Sequence, residues 1–463
     1  MTKTDEMPVK AKLYKHQIKG VELCMKNNGF GLLFDVGLGK SLTAVAVAGL
    51  RHLKNDVNRV LVICPLAVVP VWEREFSYLT IDYNCFALEG SCRKKADIIQ
   101  HLPKKGLQIL VINYESARLL VKELMCWKPE MLIVDESQRI KNRKSDQAKA
   151  IHKLADICNY RQILTATPIG NGVEDIFSQW RVIDKQIFGS SFYVFRASYL
   201  IMGGYAGKVV VGTKNMTELV EKMHQSSLRI TKEEALDLPE QIFETRYCEL
   251  DTKAMNSYIS LKRECVAQIQ SGEVTARNIL TRFTKLQQCA DGFLKADDSK
   301  TYEITSTAKL CLMFETVEEV LAGGEKVVIF ARFTAEINEI ARRMEQAGMV
   351  ALTLTGKTKN KGDTVKQFQE NEAIKVLICQ IKVGGVGITL TAASVVIFYS
   401  LSFSLIDYLQ AIGRTHRIGQ KLRCLYLFLV AKNTIDEYIL AAVKDKRDFA
   451  ETVVDHWQQI AGG

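Results

Sequence analysis

Three short stretches hold residues whose types and spacing could handle a phosphate ester. The first, DVGLGKS at 35–41, sets Gly37, Leu38 and Gly39 ahead of Lys40 and Ser41. Glycines let backbone N–H groups face a phosphate. A lysine there neutralises the β- and γ-phosphates, and the adjoining hydroxyl ligates Mg2+. The strict form of this loop has a glycine where Phe34 stands, so the stretch is a variant. The second stretch, LIVDESQRIKN, carries Asp135 and Glu136 at the end of an apolar run. Asp135 is suited to hold Mg2+, through water, and Glu136 to orient and deprotonate an attacking water; phosphoryl transfer needs mostly positioning and charge neutralisation. The third, QAIGRTHRIGQ at 410–420, puts Arg414 and Arg417 on a glycine-laced turn far along the chain. Two permanent cations could reach the γ-phosphate of a nucleotide held elsewhere and act as arginine fingers. Each stretch has a plainer reading: a strand–helix turn, a strand ending in solvent, arginines paired with local carboxylates. Their occurrence together favours the chemical one.

Further candidates surround these. Tyr14, His16 and Gln17 precede the first strand-like run, and the Gln17 amide matches N6 and N7 of an adenine. Tyr14 and Gln17 therefore join the nucleotide-binding set. LTATPIG ends another run with Thr165 and Thr167, whose hydroxyls could relay between the carboxylates and the second half of the chain. KVGGVGITLT at 382–391 carries Gly384, Gly385 and Gly387, where backbone can approach a phosphate or sugar closely. Gly413 and Gly419 are poor residues for a helix interior, so a helix beginning near FSLIDYLQ is expected to weaken there.

The elements that must position these residues alternate. FGLLFDV, RVLVICP, QILVINY, EMLIVDE and YRQILTA are each followed by a helical pattern, and their near-continuous apolar character suits a parallel sheet covered on both faces. The alternation stops across 186–235, which holds aromatics, a glycine-rich MGGYAGKVVVG and a helical stretch. Residues 250–300 read as long amphipathic helices. From about 305 the pattern resumes with KVVIFAR, VALTLTG, KVLICQ, VVIFYS and RCLYLFLV. The expected organisation is two α/β lobes, 1–240 and 241–463, with helical protrusions at 186–235 and 250–304.

Composition sets the limits. At 463 residues the chain is too long for one core and suits two domains. Lys+Arg 62 against Asp+Glu 52 gives +10, a lean toward a polyanion that does not by itself identify one. Twelve cysteines are scattered singly, with no C-x-x-C pair, which argues against zinc and for free thiols in a reducing compartment. The N-terminus has no apolar signal core, and the longest apolar stretch is broken by Pro65 and Pro70. A soluble, cytoplasmic protein is expected.

Taken in order, LYKHQIKGV, DVGLGKS, VLVICPLAVVPVWEREF, DESQRIKN, LTATPIGNGVEDIFS, LRITKEEALDLPE, GGVGITLTAASVVIFY and QAIGRTHRIGQ resemble the motifs of the Swi/Snf family of superfamily-two DNA-translocating ATPases, from about residue 10 to about 445. The resemblance implies two RecA-like lobes, ATP and Mg2+ at a cleft, and duplex DNA as partner. By motif, Gln17 becomes the adenine reader, Lys40 and Ser41 the phosphate and Mg2+ groups, and Asp135 and Glu136 the metal and water groups. Gln138, Thr165 and Thr167 become coupling residues, and Arg414 and Arg417 the fingers. Contacts to the DNA backbone are implied for Pro65, Leu66, Asn113, Tyr114, Lys141 and Asn142, and in the second lobe for Arg332, Thr355, Gly356, Leu390 and Thr391. The sequence departs from the family where DESQ replaces an acidic-Ala/Gly-His box, where Val36 replaces a Met, and where Gly413 replaces an Asp. It departs again where SLSFSL, with Phe403, replaces an Asp-x-Trp-Asn-Pro stretch. Hydrolysis is expected to survive these changes and coupling to differ. No accessory domain is evident, which suits a minimal, monomeric motor like bacterial or phage members, with a protein partner supplying specificity. Two other readings remain open: a strand-separating helicase or RNA-directed ATPase on the same lobes, and an ATP-switched scaffold that grips DNA or a polymerase without hydrolysis.

Overall fold

Strands buried on both faces need apolar residues at successive positions, and the apolar runs behave that way. In the computed structural model, which describes residues 7–103, 105–204, 209–236, 238–270, 276–295, 302–384 and 388–454, the run RVLVIC is buried from its second residue to its last. LQILVIN is buried throughout.

The strands, in chain order, are β1 (Gly29–Phe34), β2 (Arg59–Cys64), β3 (Tyr83–Ala87), β4 (Leu107–Asn113), β5 (Met131–Asp135), β6 (Tyr160–Leu164), β7 (Leu200–Gly203), β8 (Val209–Thr213), β9 (Ser227–Ile230), β10 (Gln241–Cys248), β11 (Phe293–Lys295), β12 (Tyr302–Ile304), β13 (Val327–Ala331), β14 (Ala351–Leu354), β15 (Val376–Gln380), β16 (Val395–Phe398) and β17 (Cys424–Ala431). Contacts divide the chain into one unit of Met1–Asp237 with Asp448–Gly463 and another of Leu238–Arg447.

The first unit is built on a seven-stranded sheet in the order β3-β4-β2-β5-β6-β1-β9. Every pairing in it is parallel, so all strand carboxyl ends lie along one edge. Alternate residues feed two cores. Leu32, Phe34, Val60, Val62 and Ile133 pack with the helices α1 (Lys15–Lys26), α2 (Lys40–Leu53) and α3 (Val69–Phe76) through Val21, Val45 and Trp72. Leu33, Leu61, Ile63 and Leu132 pack with Ala117, Ile151, Leu154 and Trp180 on the opposite face. This is the period-two alternation a doubly covered sheet requires.

The second unit has a six-stranded sheet in the order β10-β17-β16-β13-β15-β14, again parallel throughout. One face packs Val327, Ile329 and Ile378 against Met313, Val317, Ile337 and Met344. On β13, β16 and β17, Phe330, Phe398 and Phe428 form a stacked row, with Phe398 5.6 and 5.2 Å from its two neighbours.

Three expectations are modified. The segment 186–235 is not simply helical. It contains the helix Phe192–Tyr199, the antiparallel β7–β8 hairpin and the helix Met216–Gln225, and it ends in β9, which joins the main sheet beside β1. Short runs such as SLRI are too brief for periodicity to separate strand from helix. The end of the chain, from Asp448, groups with the first unit, where Val454 joins the core that Phe449 and Ala450 pack against. The helix Leu405–Thr415 runs through Gly413, which is buried, so close packing at that position overrides its weak propensity. All twelve cysteines are free thiols. Among the described residues no helix is long and apolar enough to cross a membrane.

Candidate nucleotide site and the arginine turn

Because β1, β2, β4, β5 and β6 are parallel, the residues that follow them share one edge of the first sheet, as open α/β sheets arrange their ligand sites. The loop after β1 turns through positive φ at Gly37 (94°) and Gly39 (74°), a region open mainly to glycine. Gly39 caps α2, whose first turn carries no acidic side chain, so its free N–H groups and dipole favour an anion. A Cβ on Gly39 would lie 2.2 Å from Gln17 Nε2, so a side chain there would displace the Gln17 amide as well as strain the backbone.

Gln17 is buried under this loop. Its amide donates to the Gly39 carbonyl at 3.3 Å, and its oxygen accepts from the Tyr14 N–H at 2.8 Å. Exposed Tyr14 stacks on His16, 5.8 Å between ring centres, and His16 Nε2 lies 3.0 Å from the Leu38 carbonyl. Lys40 turns its ammonium to the carbonyls of Phe34 (2.8 Å) and Asp35 (3.2 Å). Burial lowers its pKa, while Glu136, Asp135 and Asp35 draw it back up against Arg229. Ser41 follows, half-buried, in the first turn of α2.

Asp135 ends β5 and is buried. One carboxylate oxygen, Oδ2, accepts the Trp72 indole N–H at 2.9 Å. Burial and the neighbouring Glu136 raise its pKa to about 7, against the opposing pull of Trp72 and Lys40. Glu136 sits at φ 55°, ψ 51°, a left-handed conformation unusual for a residue with a side chain. Such local strain persists only when neighbours enforce it, and Tyr114 does so: its buried hydroxyl donates to the carbonyls of Asp135 and Glu136. Gln138 donates to the Glu136 carboxylate and accepts from the Thr165 hydroxyl at 2.7 Å; Thr165 in turn accepts the Thr167 N–H at 3.0 Å. The three coupling candidates and Glu136 thus form one hydrogen-bonded chain.

The donor set suits Mg2+. Ser41 and Asp135 offer hard oxygens and no thiol or imidazole, and Mg2+ takes few protein ligands alongside substrate phosphates. Among the described residues there is no group of three or more His, Cys, Asp or Glu that could hold a metal.

The first unit's DNA-contact candidates fall into two groups. Leu66 and Asn142 are exposed, and Pro65 caps the short turn that presents Leu66. Lys141 is half-buried and reaches Asp175 at 3.5 Å; Asp175 also accepts the Gly170 and Asn171 N–H groups, fixing the turn after Thr167. Asn113 and Tyr114 are buried. Asn113 accepts from buried Lys95 at 3.1 Å and donates to Glu115, so both side chains serve the interior.

In the second unit Arg332, Thr355 and Gly356 follow β13 and β14 at the carboxyl edge of that sheet. Gln287 holds the Arg332 guanidinium, and Ser400 Oγ accepts the Arg332 N–H at 2.7 Å. The Gly356 N–H donates to Gln380 at 3.2 Å, and the Thr355 N–H donates to Thr358 at 2.9 Å. Leu390 and Thr391 instead lead into β16. Leu390 is buried and donates to the Arg414 carbonyl at 2.9 Å. Arg414 is buried, Arg417 half-buried; both guanidiniums reach the Ile388 carbonyl. Gln420 ties the turn down with bonds to Thr391, Ala393 and Thr415. Gly387 lies outside the described residues, as does Gly385.

Three participants were missed from the sequence: Trp72, Asp35 and Arg229. Arg229 pairs with Asp35 at 2.8 Å. An aromatic in an amphipathic helix reads as core, and only its unpaired N–H hints at a polar partner.

Residues 16–292 match the SNF2-related domain and 312–419 the helicase conserved C-terminal domain. A chromodomain-helicase-DNA-binding protein 1-like protein of Danio rerio is 26% identical over 455 residues, covering 95% of this chain and 43% of its own. A SWI/SNF-related matrix-associated actin-dependent regulator of chromatin subfamily A-like protein 1 homolog of Caenorhabditis elegans is 27% identical, covering 94% and 61%. The chain therefore spans about half the length of these curated relatives. Among solved structures, the Sulfolobus solfataricus SWI2/SNF2 ATPase core in complex with dsDNA is 27% identical with a TM-score of 0.46, covering 96% of this chain and 94% of that one. With the SNF2-related model matched across more than half its length, the chain belongs to the SNF2-related family.

Proposed function

We propose that the chain hydrolyses ATP to ADP and phosphate at the carboxyl edge of its first sheet, and that duplex DNA stimulates the reaction and serves as its track. The observation that carries this reading is the junction at that edge. Lys40 follows the glycine loop after β1, Asp135 ends β5 in the same parallel sheet, and Glu136 is linked through Gln138 to Thr165.

The adenine edge takes over both amide bonds of Gln17, the one its oxygen accepts from the Tyr14 N–H and the one it donates to the Gly39 carbonyl. The phosphates lie on the N–H groups of the Gly37–Gly39 loop and draw the Lys40 ammonium from the Phe34 and Asp35 carbonyls. Ser41 and Asp135 would hold Mg2+, which when bound supplies positive charge against the phosphate oxygens. Glu136 orients the attacking water and accepts its proton. Arg414 and Arg417 stabilise charge that develops on the transferred phosphoryl group.

The chain translocates along duplex DNA without full strand separation. Pro65, Leu66, Asn113, Tyr114, Lys141 and Asn142, with Arg332, Thr355, Gly356, Leu390 and Thr391, line the path of the DNA backbone. Such binding weakens steeply with salt. The motor acts as a monomer in the cytoplasm, with a protein partner supplying specificity. The experiment is a pair of assays run with ATP. Displacement of a third strand from a triplex, without unwinding of a fork, is the expected result. Fork unwinding, or stimulation by RNA in place of duplex DNA, would reassign the track.

A further inference from the structure

Arg229 lies on β9, beside β1, and no motif role was assigned to it. Its guanidinium meets the Asp35 carboxylate at 2.8 Å, the Leu33 carbonyl at 2.9 Å and the Ala166 carbonyl at 3.5 Å. The other Asp35 oxygen accepts the Lys232 N–H at 3.1 Å. Asp35 opens the glycine loop, and its carbonyl also receives the Lys40 ammonium. Ala166 stands between Thr165 and Thr167. One side chain from the edge strand therefore fixes the start of the loop and the strand end that carries the coupling threonines. It is well sheltered, 13% exposed, so its interactions are weakly screened.

The charge arrangement gives this anchor a purpose. An uncompensated Asp35 would set a negative charge at the mouth of a phosphate loop and hold Lys40 to itself. All three contacts run through one guanidinium nitrogen, Nη1, so the positive charge sits between the Asp35 carboxylate and the two carbonyls. We propose that Arg229 is a positioning residue for the nucleotide site: it neutralises Asp35 and fixes the entry to the loop, so that the loop presents net positive charge to a phosphate. The inference rests on the ATP reading above, and Arg229 acts through Asp35 without touching the nucleotide.

The test measures binding of a fluorescent ADP analogue to the full chain. Arg229→Ala is expected to weaken binding about tenfold, the scale of one charge-assisted hydrogen bond. The double variant Asp35→Asn with Arg229→Ala should recover most of that loss, because the stray charge is gone. Arg229→Lys should fall between wild type and Arg229→Ala, and it carries the test with the double variant if Arg229→Ala does not fold. At saturating ATP, kcat of the variants should stay within about threefold of wild type, since the interaction serves ground state and transition state alike. Wild-type affinity in Arg229→Ala, or a double variant as weak as Arg229→Ala, overturns the inference while leaving the ATP reading intact, provided Lys40→Ala loses binding. Absence of binding by the wild type would end both.

Discussion

Arg414 and Arg417 donate to the same acceptor, the carbonyl oxygen of Ile388, at 3.5 and 3.3 Å. The backbone closes the arrangement from the other side, where the Leu390 N–H returns to the Arg414 carbonyl at 2.9 Å. Burial lowers the pKa of Arg417, yet an arginine stays charged at any ordinary pH. Two sheltered cations converging on one carbonyl oxygen are oriented before any ligand arrives.

If these are fingers, their effect belongs to the transition state. Arg414→Lys and Arg417→Lys keep a charge and lose the planar fork. Each is expected to lower kcat by about a thousandfold, within the range such arginines supply, with nucleotide affinity changed less than about threefold. A variant that loses affinity with kcat preserved would make its arginine a ground-state ligand.

Gln138 joins Glu136 to Thr165 by one bond given and one received. Gln138→Ala breaks both while leaving the loop and Lys40 in place. Hydrolysis without DNA should persist, and stimulation by duplex should fall at least about fivefold, the scale of one lost buried hydrogen bond. Gln138→His restores a group that can give and accept, and should recover part of the stimulation. Equal stimulation in Gln138→Ala and wild type would remove this residue from the coupling path.

Trp72→Phe keeps an aromatic ring in the core, though a smaller one, and removes the N–H held by Asp135 Oδ2. Leaving that buried oxygen without its donor costs about 1–3 kcal/mol. The account expects a several-fold higher Mg2+ concentration for half-maximal ATPase and a small drop in melting temperature. An unchanged Mg2+ requirement would show that Trp72 only packs.

What could be read from the sequence was what depends on period and spacing. Apolar runs such as RVLVIC and KVLICQ gave parallel strands, and parallel strands gather Lys40, Asp135 and Thr165 at one edge with no further information. Lone positions in compact stretches were harder. The resemblance implied a DNA contact for Tyr114, but nothing in the local pattern showed that its hydroxyl is bonded to the backbone of Asp135 and Glu136. Arg229 sat in SLRI, too short for a periodic signal, and its partner Asp35 is nearly two hundred residues away. Pairings that distant leave no trace in local pattern.

The second unit also carries a buried charge network with a definite pH signature. Lys309 bridges Asp291 and Asp436 at 2.6 Å each. Glu336 accepts the Arg332 and Phe333 N–H groups and the Ser400 hydroxyl. Asp291 Oδ2 and Glu336 Oε1 are both buried without a donor, and each carboxyl is among the groups that shift the other. Two neighbouring buried carboxylates cannot both be ionised cheaply, so the pair is expected to keep one proton between them. Burial raises the pKa of Asp291 well above the ordinary range, and that of Glu336 with it.

The sign follows from linkage. The folded state keeps a proton that the unfolded chain releases near pH 4, so the contribution is fully present below that pH and is lost as pH rises through the raised native values. Glu336→Gln supplies a permanent donor and no charge. Its melting temperature relative to wild type should therefore improve steadily as pH is raised from about 5 to 9. A difference that stays constant with pH would contradict the shared proton.

The most direct test of the whole account is phosphate release from ATP by the purified chain, with and without duplex DNA, alongside Lys40→Ala. The account predicts hydrolysis that rises at least about tenfold with duplex and falls to background in Lys40→Ala, as expected when a phosphate-loop lysine is removed. Equal rates with and without DNA, or hydrolysis that survives Lys40→Ala, would contradict it.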